Sequence, residues 1–209
     1  MKGWLIVCLL LFALPANATQ DRWPALYNVS GVAADDVLNV RSEPNAGAPI
    51  VGTLAADTRD VELIRPNDRQ TWALVNIGER SGWVSLAFLQ RQPGQWYGAA
   101  PDTLWCAGTE PFWSFKVDAG KITYESQDTA TQMGRIDATT QSHNHTGRHA
   151  IVGIFERSGD GPYLDSLALL ANEVCGDGMS DREYGFALDL ILGNMNGFVL
   201  QSGCCSLTR

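Results

Sequence analysis

Four cysteines in the C-terminal half are the residues with the most specific chemistry in this chain. They are Cys106, Cys175, Cys204 and Cys205, and the last two are adjacent in the closing stretch QSGCCSLTR. Cysteines at such positions bind a metal ion, carry out redox chemistry or form disulfides. The choice among these depends on the compartment in which the chain folds.

The three histidines form a second group with chemical potential. His143, His145 and His149 lie within the stretch SHNHTGRH. In a strand, His143 and His145 would face the same side, and histidine is a common zinc or copper ligand. The stretch is also polar and contains Gly147, which is typical of a surface loop. We predict no metal site and no cofactor, with a metal-binding or inhibitor-like structural protein as an alternative.

Serine and carboxylate residues give no catalytic pattern. G-x-S-x-G is absent, and no serine precedes Lys116 or Lys121 by three positions. Asp177, Ser180 and Asp181 lie close together in GDGMSD, without an assigned base and without the dense oxygen ligands of a calcium loop. The stretch therefore predicts a hydrogen-bonded turn.

The first eighteen residues predict export. MKGWLIVCLLLFALPANA has Lys2, an apolar run of about ten residues, and an Ala-x-Ala site before Thr19. The run is shorter than the ~20 residues that span a bilayer, so we expect cleavage and no membrane anchor. The formal net charge is -8, with no run of Lys or Arg, which argues against nucleic-acid binding. We expect a periplasmic or secreted protein.

Cleavage of the predicted signal peptide removes the fifth cysteine, Cys8. Export then makes disulfides the expected state of the other four. A bond between Cys204 and Cys205 would close a strained ring, because adjacent Cα atoms are only ~3.8 Å apart. In a terminal strand these two side chains point to opposite faces, so each reaches a different partner. We predict Cys175–Cys204 and Cys106–Cys205, while the opposite crossing stays open because the sequence does not fix which face is inner.

The elements around these residues read as two β-rich parts. Residues 91–103 are rich in Pro and Gly and predict a linker. Five short strands in a small barrel are predicted before this linker, from the stretches LNVR, IVGTL, DVELI, WALVNI and GWVSLAFL. The fold class predicted is mainly all-β, with a small barrel followed by a disulfide-bonded β-rich domain over residues 104–209.

The first part resembles a bacterial SH3 domain over residues 27–90. The resemblance rests on LNVRSEP, IVGTL, WALV, GWV and FL at matching spacings. It implies a non-catalytic binding module for peptidoglycan or an envelope protein. Trp72 and Trp83 are the candidate ligand-binding residues, since aromatic faces stack on sugars and peptides. The alternative for both is a packing role in the core or rim of the barrel.

Bacterial SH3 modules often accompany cell-wall cysteine peptidases, which gives an enzyme alternative. Cys106 would then be the nucleophile and His149 the base. However, Cys106 lacks the Asp-Cys-Ser-Gly context of those enzymes, and an alternating strand pattern follows it where they need a helix. We predict that the protein is not an enzyme.

The second part predicts further strands. A hairpin is predicted in WSFKVDAGKITYES, with its turn at Asp118-Ala119-Gly120-Lys121. A single strand is predicted in HAIVGIFER, and a final pair of strands in YGFALDLILGNMNGFVLQSGCC. YLDSLALLANEVC fits strand or helix, and its neighbours favour strand. CAGTEPFW, CGDGMSDREY and GCC resemble a family of uncharacterised bacterial envelope proteins, which implies no particular activity.

Overall fold

The computed structural model describes residues 21–156, 165–194 and 197–208, and in this part of the chain the protein is all-β without an α-helix. The predicted all-β fold class is confirmed. The predicted signal peptide, residues 1–18, lies outside the described residues.

The N-terminal part forms one antiparallel sheet around its own core. Its strands are β1 Ala25–Val29, β2 Val37–Arg41, β3 Ile50–Ala55, β4 Val61–Pro66, β5 Trp72–Ile77, β6 Arg80–Ser85 and β7 Leu89–Arg91. The sheet order is β3-β2-β6-β5-β4-β1-β7, and one 3₁₀ turn, Leu86–Phe88, precedes β7. The five predicted strands are β2 to β6. β1 and β7 complete a seven-stranded sheet that ends at β3 and β7.

The C-terminal part is a closed barrel of eight antiparallel strands. These are β8 Thr103–Gly108, β9 Trp113–Asp118, β10 Lys121–Ser126, β11 Gln132–Gln141, β12 Arg148–Phe155, β13 Asp165–Ala171, β14 Phe186–Asn194 and β15 Gly197–Ser206. The ring closes because β15 pairs with β8, Cys205 lying opposite Cys106. Inward side chains such as Phe115, Ile151 and Leu190 fill the barrel.

The hairpin predicted in this part is confirmed. Asp118 and Lys121 are paired, and Ala119 and Gly120 between them have φ values of 48° and 83°. Two consecutive left-handed residues are the geometry of a tight two-residue hairpin turn. The ambiguous stretch before Cys175 also contains a strand, β13.

The Trp113 indole explains why positions 108 and 203 of the barrel are glycines. A Cβ atom at Gly108 would lie 2.2 Å from the indole Nε1, and one at Gly203 would lie 2.8 Å from the indole Cζ2. The indole is buried, and its volume is accommodated because both neighbours lack a side chain. The sequence stretches CAGTEPFW and SGCC therefore meet in the barrel wall.

The two disulfides have the predicted pairing. Cys106 is bonded to Cys205, with Cα atoms 4.0 Å apart, and Cys175 is bonded to Cys204, with Cα atoms 5.6 Å apart. Cys205 faces the barrel core, whereas Cys204 faces outward, because consecutive strand residues alternate between faces. The bridges are compatible with an oxidising, extracytoplasmic location.

The stretch predicted as a linker is held against the sheet. The Gln95 side chain accepts a hydrogen bond from the Leu26 amide (2.6 Å) and donates one to the Leu26 carbonyl (2.9 Å). The Arg91 guanidinium donates to the Gln95 carbonyl at 2.8 Å. These contacts fix the start of the connection to β1.

Candidate ligand-binding cleft

A long connection between β13 and β14 crosses the outer surface of the barrel. We call residues 172–185 the Cys175 segment. The Cys175–Cys204 bond attaches it to β15, and Cys175 and Tyr184 exchange two main-chain hydrogen bonds of 2.9 Å. Two residues after Cys175, the Asp177 carbonyl accepts a hydrogen bond of 3.4 Å from the hydroxyl of Thr109, the residue directly after β8. The segment is therefore fixed at several points.

Asp177 organises the turn of this segment, as GDGMSD predicted. Its Oδ1 accepts the amides of Met179 and Ser180, both at 2.9 Å. Its Oδ2 accepts the hydroxyls of Ser180 (2.8 Å) and Tyr184 (3.1 Å). Burial acts to raise the pKa of Asp177, but these hydrogen bonds outweigh it and lower that pKa to about 2. The carboxylate thus stays charged and holds the turn.

Asp177→Ala should loosen the Cys175 segment. Amide exchange of Met179 and Ser180 should accelerate roughly fivefold, which corresponds to about 1 kcal/mol for a lost hydrogen bond. Hydrogen–deuterium exchange with mass spectrometry measures this. Asp137→Ala is the control, because Asp137 pairs with Arg135 on β11, away from the segment. Unchanged exchange in the Asp177 variant would contradict the assigned role.

A cleft of about 1190 Å³ lies along this segment and the barrel surface. Part of its lining is a row of outward residues in register across five neighbouring strands, and all of them are small. They are Ala171, Ala187, Cys204, Ala107 and Ser114. The Cys175 segment covers part of this row, because Cys204 is bonded to Cys175 and both Ala171 and Cys204 are buried. Ala107 is exposed and Ser114 is partly exposed, so the small side chains leave a shallow groove at this end of the row.

Aromatic and charged side chains border the row of small residues. Trp105 and Lys116 face each other on β8 and β9, with the Lys116 Nζ 4.6 Å from the indole centroid. From the Cys175 segment, the Arg182 guanidinium lies 5.3 Å from the Tyr184 ring centroid. All four line the cleft. The combination suits a polar ligand that has apolar faces and charged groups.

Trp72 and Trp83 lie outside this cleft. Cross-strand pairing puts both on the outer face of β5 and β6, opposite the core residues Ala73 and Val84. Neither tryptophan belongs to the sheet core, and each is partly exposed. The Arg65 guanidinium lies over the Trp83 ring, 5.2 Å from its centroid. Arg65 of the same chain therefore lies over one side of the predicted aromatic surface, and ligand binding by Trp72 and Trp83 stays a prediction.

The histidines are separated in the structure. His143 and His145 are exposed in the loop between β11 and β12, whereas His149 is buried on β12. The His149 ring hydrogen-bonds the Tyr97 carbonyl, while burial, followed by the charge of Arg22, lowers its pKa. No group of three His, Cys, Asp or Glu residues that could hold a metal occurs in the described residues.

Cys106 has no free thiol in this structure, because it is bonded to Cys205 inside the barrel. A thiol nucleophile must be present as a thiolate. The Cys106 and His149 pairing considered from the sequence therefore lacks its reactive group in the oxidised protein.

Sequence reasoning missed the bordering residues of the cleft. Trp105 and Lys116 lie in strands recognised by their pattern, but only the register between β8 and β9 shows that they face each other outward. Arg182 and Tyr184 lie in CGDGMSDREY, where their spacing of two was the available signal of a shared face.

Comparison of the chain with protein-family models, curated proteins and solved structures finds no match. Within the described ranges, no helix has the length and apolar character needed to cross a membrane. The two family resemblances of the sequence therefore stay predictions.

Proposed function

We propose that the protein is an exported, non-catalytic binding protein of the bacterial cell envelope, periplasmic or secreted, whose ligand is peptidoglycan or an envelope protein. The observation that carries the proposal is the cleft along the Cys175 segment. Its row of small residues is bordered by Trp105 and Tyr184 and by cations, which is a surface for stacking and hydrogen bonding. The resemblance of residues 27–90 to a bacterial SH3 domain supports the same class of ligand.

The disulfides and the described cleft favour binding over hydrolysis. Both disulfides hold the barrel and the Cys175 segment in fixed positions, as a preformed binding site requires. The alternative of a cell-wall cysteine hydrolase requires reduction of Cys106. Zymography on cell-wall material, with Cys106→Ala as the control, tests this alternative, and we expect no clearing by either protein.

Peptidoglycan is the first ligand to test. The purified protein should co-sediment with insoluble peptidoglycan, and Trp105→Ala should weaken its apparent affinity about two- to thirteenfold. This corresponds to the 0.5–1.5 kcal/mol typical of one aromatic contact beyond its area burial. The assay is a pull-down with quantification of bound and free protein.

Trp96→Ala is the matched control, since Trp96 is 43% exposed and does not line the cleft. This variant should be retained like the unmodified protein. Equal retention of the Trp105 variant would exclude the cleft as the binding site. No retention of the unmodified protein would exclude peptidoglycan, leaving an envelope protein as the partner to be sought by crosslinking.

A further inference from the structure

The outer face of β5 and β6 is covered although it is not part of the sheet core. Leu74 lies on this face beside Trp83, its cross-strand partner. Its exposure is only 3%, yet it does not belong to the core cluster of the sheet. Another part of the chain must therefore pack over this face.

The Cys175 segment reaches this face and pairs with the start of β6. The Asp181 amide donates to the Glu79 carbonyl at 3.0 Å, and the Ser81 amide donates to the Asp181 carbonyl at 3.1 Å. The pairing is parallel, with Arg80 opposite Asp181. Main-chain pairing of this kind is how extended peptides add to a sheet.

Glu183 makes four further hydrogen bonds to the same face. Its carboxylate accepts both the Nε (3.1 Å) and the Nη2 (3.2 Å) of Arg65. Its amide donates to the Ser81 hydroxyl at 2.9 Å, and its carbonyl accepts the Asn76 Nδ2 at 2.8 Å. A two-bond contact between guanidinium and carboxylate also fixes orientation.

Arg65 connects this carboxylate to Trp83. Its guanidinium lies over the Trp83 ring at 5.2 Å while both bonds to Glu183 are made. The face thus provides an aromatic ring, a cation in a fixed position, two side-chain polar groups, and the main-chain carbonyl of Glu79 and amide of Ser81, which pair with Asp181. Together they match an extended peptide with a glutamate two residues after a main-chain contact.

We propose that the outer face of β5 and β6 is a binding surface for an extended acidic peptide, which Asp181–Tyr184 occupies within the same chain. A partner protein that presents an extended Asp-x-Glu stretch would compete for Arg65, Asn76 and Ser81. The inference goes beyond the proposed function, because it concerns a different surface from the cleft. The two share only the Cys175 segment, whose Arg182 and Tyr184 line the cleft.

Occupancy within the chain lowers the apparent affinity for a separate peptide. If the segment covers the surface about 99% of the time, the apparent affinity falls by about 100-fold, since only the open fraction binds. A synthetic peptide GMSDREY, copied from residues 178–184, should therefore bind the unmodified protein weakly. It should bind well once the internal segment is displaced.

Glu183→Arg in the full chain provides the displaced state, because its charge repels Arg65. We expect GMSDREY to bind this variant at least about tenfold more tightly than the unmodified protein. The readout is the indole N–H signal of Trp83 in ¹⁵N spectra, assigned with Trp83→Phe. GMSDRQY should bind the variant more weakly, because it lacks the carboxylate.

Glu173→Gln is the matched control, since Glu173 lies in the same segment and pairs with Arg148 on the barrel. It should leave peptide binding as weak as in the unmodified protein. If Glu183→Arg does not fold, Glu183→Gln supplies a milder displacement, with the same direction expected. Absence of a Trp83 shift in the folded variant, or an equal shift in the unmodified protein, would overturn the proposal.

Discussion

Replacing Cys106 and Cys205 together by alanine should lower the free energy of unfolding by about 4 to 5 kcal/mol. The bond closes a loop over a sequence separation of 99, and the loss of such a constraint favours the unfolded chain by roughly this amount. Both cysteines are also buried, at 2% and 0% exposure, so the alanine side chains gain no contact with water that would compensate for the lost bond. Urea unfolding followed by circular dichroism under non-reducing conditions measures it.

Replacing Cys175 and Cys204 by alanine is the matched comparison. Its bridge has a sequence separation of 29, for which the same chain-entropy relation gives about 3.5 kcal/mol. The barrel bridge should therefore be the more stabilising of the two. A larger loss from the Cys175 and Cys204 pair would show that the segment, and not barrel closure, limits stability.

Stability should fall by about 3 kcal/mol between acidic and mildly alkaline pH because of Glu62 on β4. Its carboxylate lies between the sheet and the barrel, where it accepts the Leu207 and Thr208 amides. Burial raises the pKa of Glu62 from 4.5 to about 7 despite these bonds and the nearby Arg182 and Arg22. A shift of this size corresponds to about 3 kcal/mol.

Stability falls as pH rises because the unfolded chain loses the Glu62 proton at a lower pH than the folded protein does. Above pH 4.5 the unfolded chain ionises at Glu62 while the folded protein stays protonated, so folding weakens as pH rises towards 7. His149 acts in the opposite direction. Its lowered pKa means that stability is lost as pH falls below the ordinary value of 6.5, because the unfolded histidine binds the proton first.

Glu62→Gln isolates the carboxyl contribution. The amide keeps an acceptor oxygen for the two C-terminal amides and cannot ionise, so the decline between pH 4.5 and 7 should disappear. Chemical denaturation at several pH values measures this. Glu43→Gln, on the exposed turn after β2, should retain the unmodified pH profile. A persistent decline in the Glu62 variant would place its origin elsewhere.

Two strands of the barrel that the sequence predicted have alternating burial. WSFKVD and HAIVGIF bury every second side chain against the barrel core, and this pattern is readable without a structure. β11, QMGRIDATTQ, was not predicted because its side chains are intermediate or exposed throughout. Its position depends on pairing with β10 and β12, which no local pattern encodes.

The candidate sites were less predictable, because they depend on contacts between distant parts of the chain. Trp83 was recognisable as an aromatic candidate, but the Arg65 guanidinium over its ring is held by Glu183, which lies more than a hundred positions further along the chain than Arg65. The row of small residues in the cleft requires the register of five strands at once. Alternation along a single strand was sufficient to predict that Cys204 and Cys205 have different partners, but the choice between the two crossings needed the structure, which shows that Cys205 faces the barrel core.

The position of Cys204 and Cys205 on the last strand determines when the two disulfides can form. A ribosome synthesises the chain from its N-terminus, so Cys106 and Cys175 both exist before either of their partners. During that interval the only pairing open between them is one that the folded protein does not contain. Correct oxidation therefore has to wait for β15, or has to undo an earlier bond through thiol–disulfide exchange.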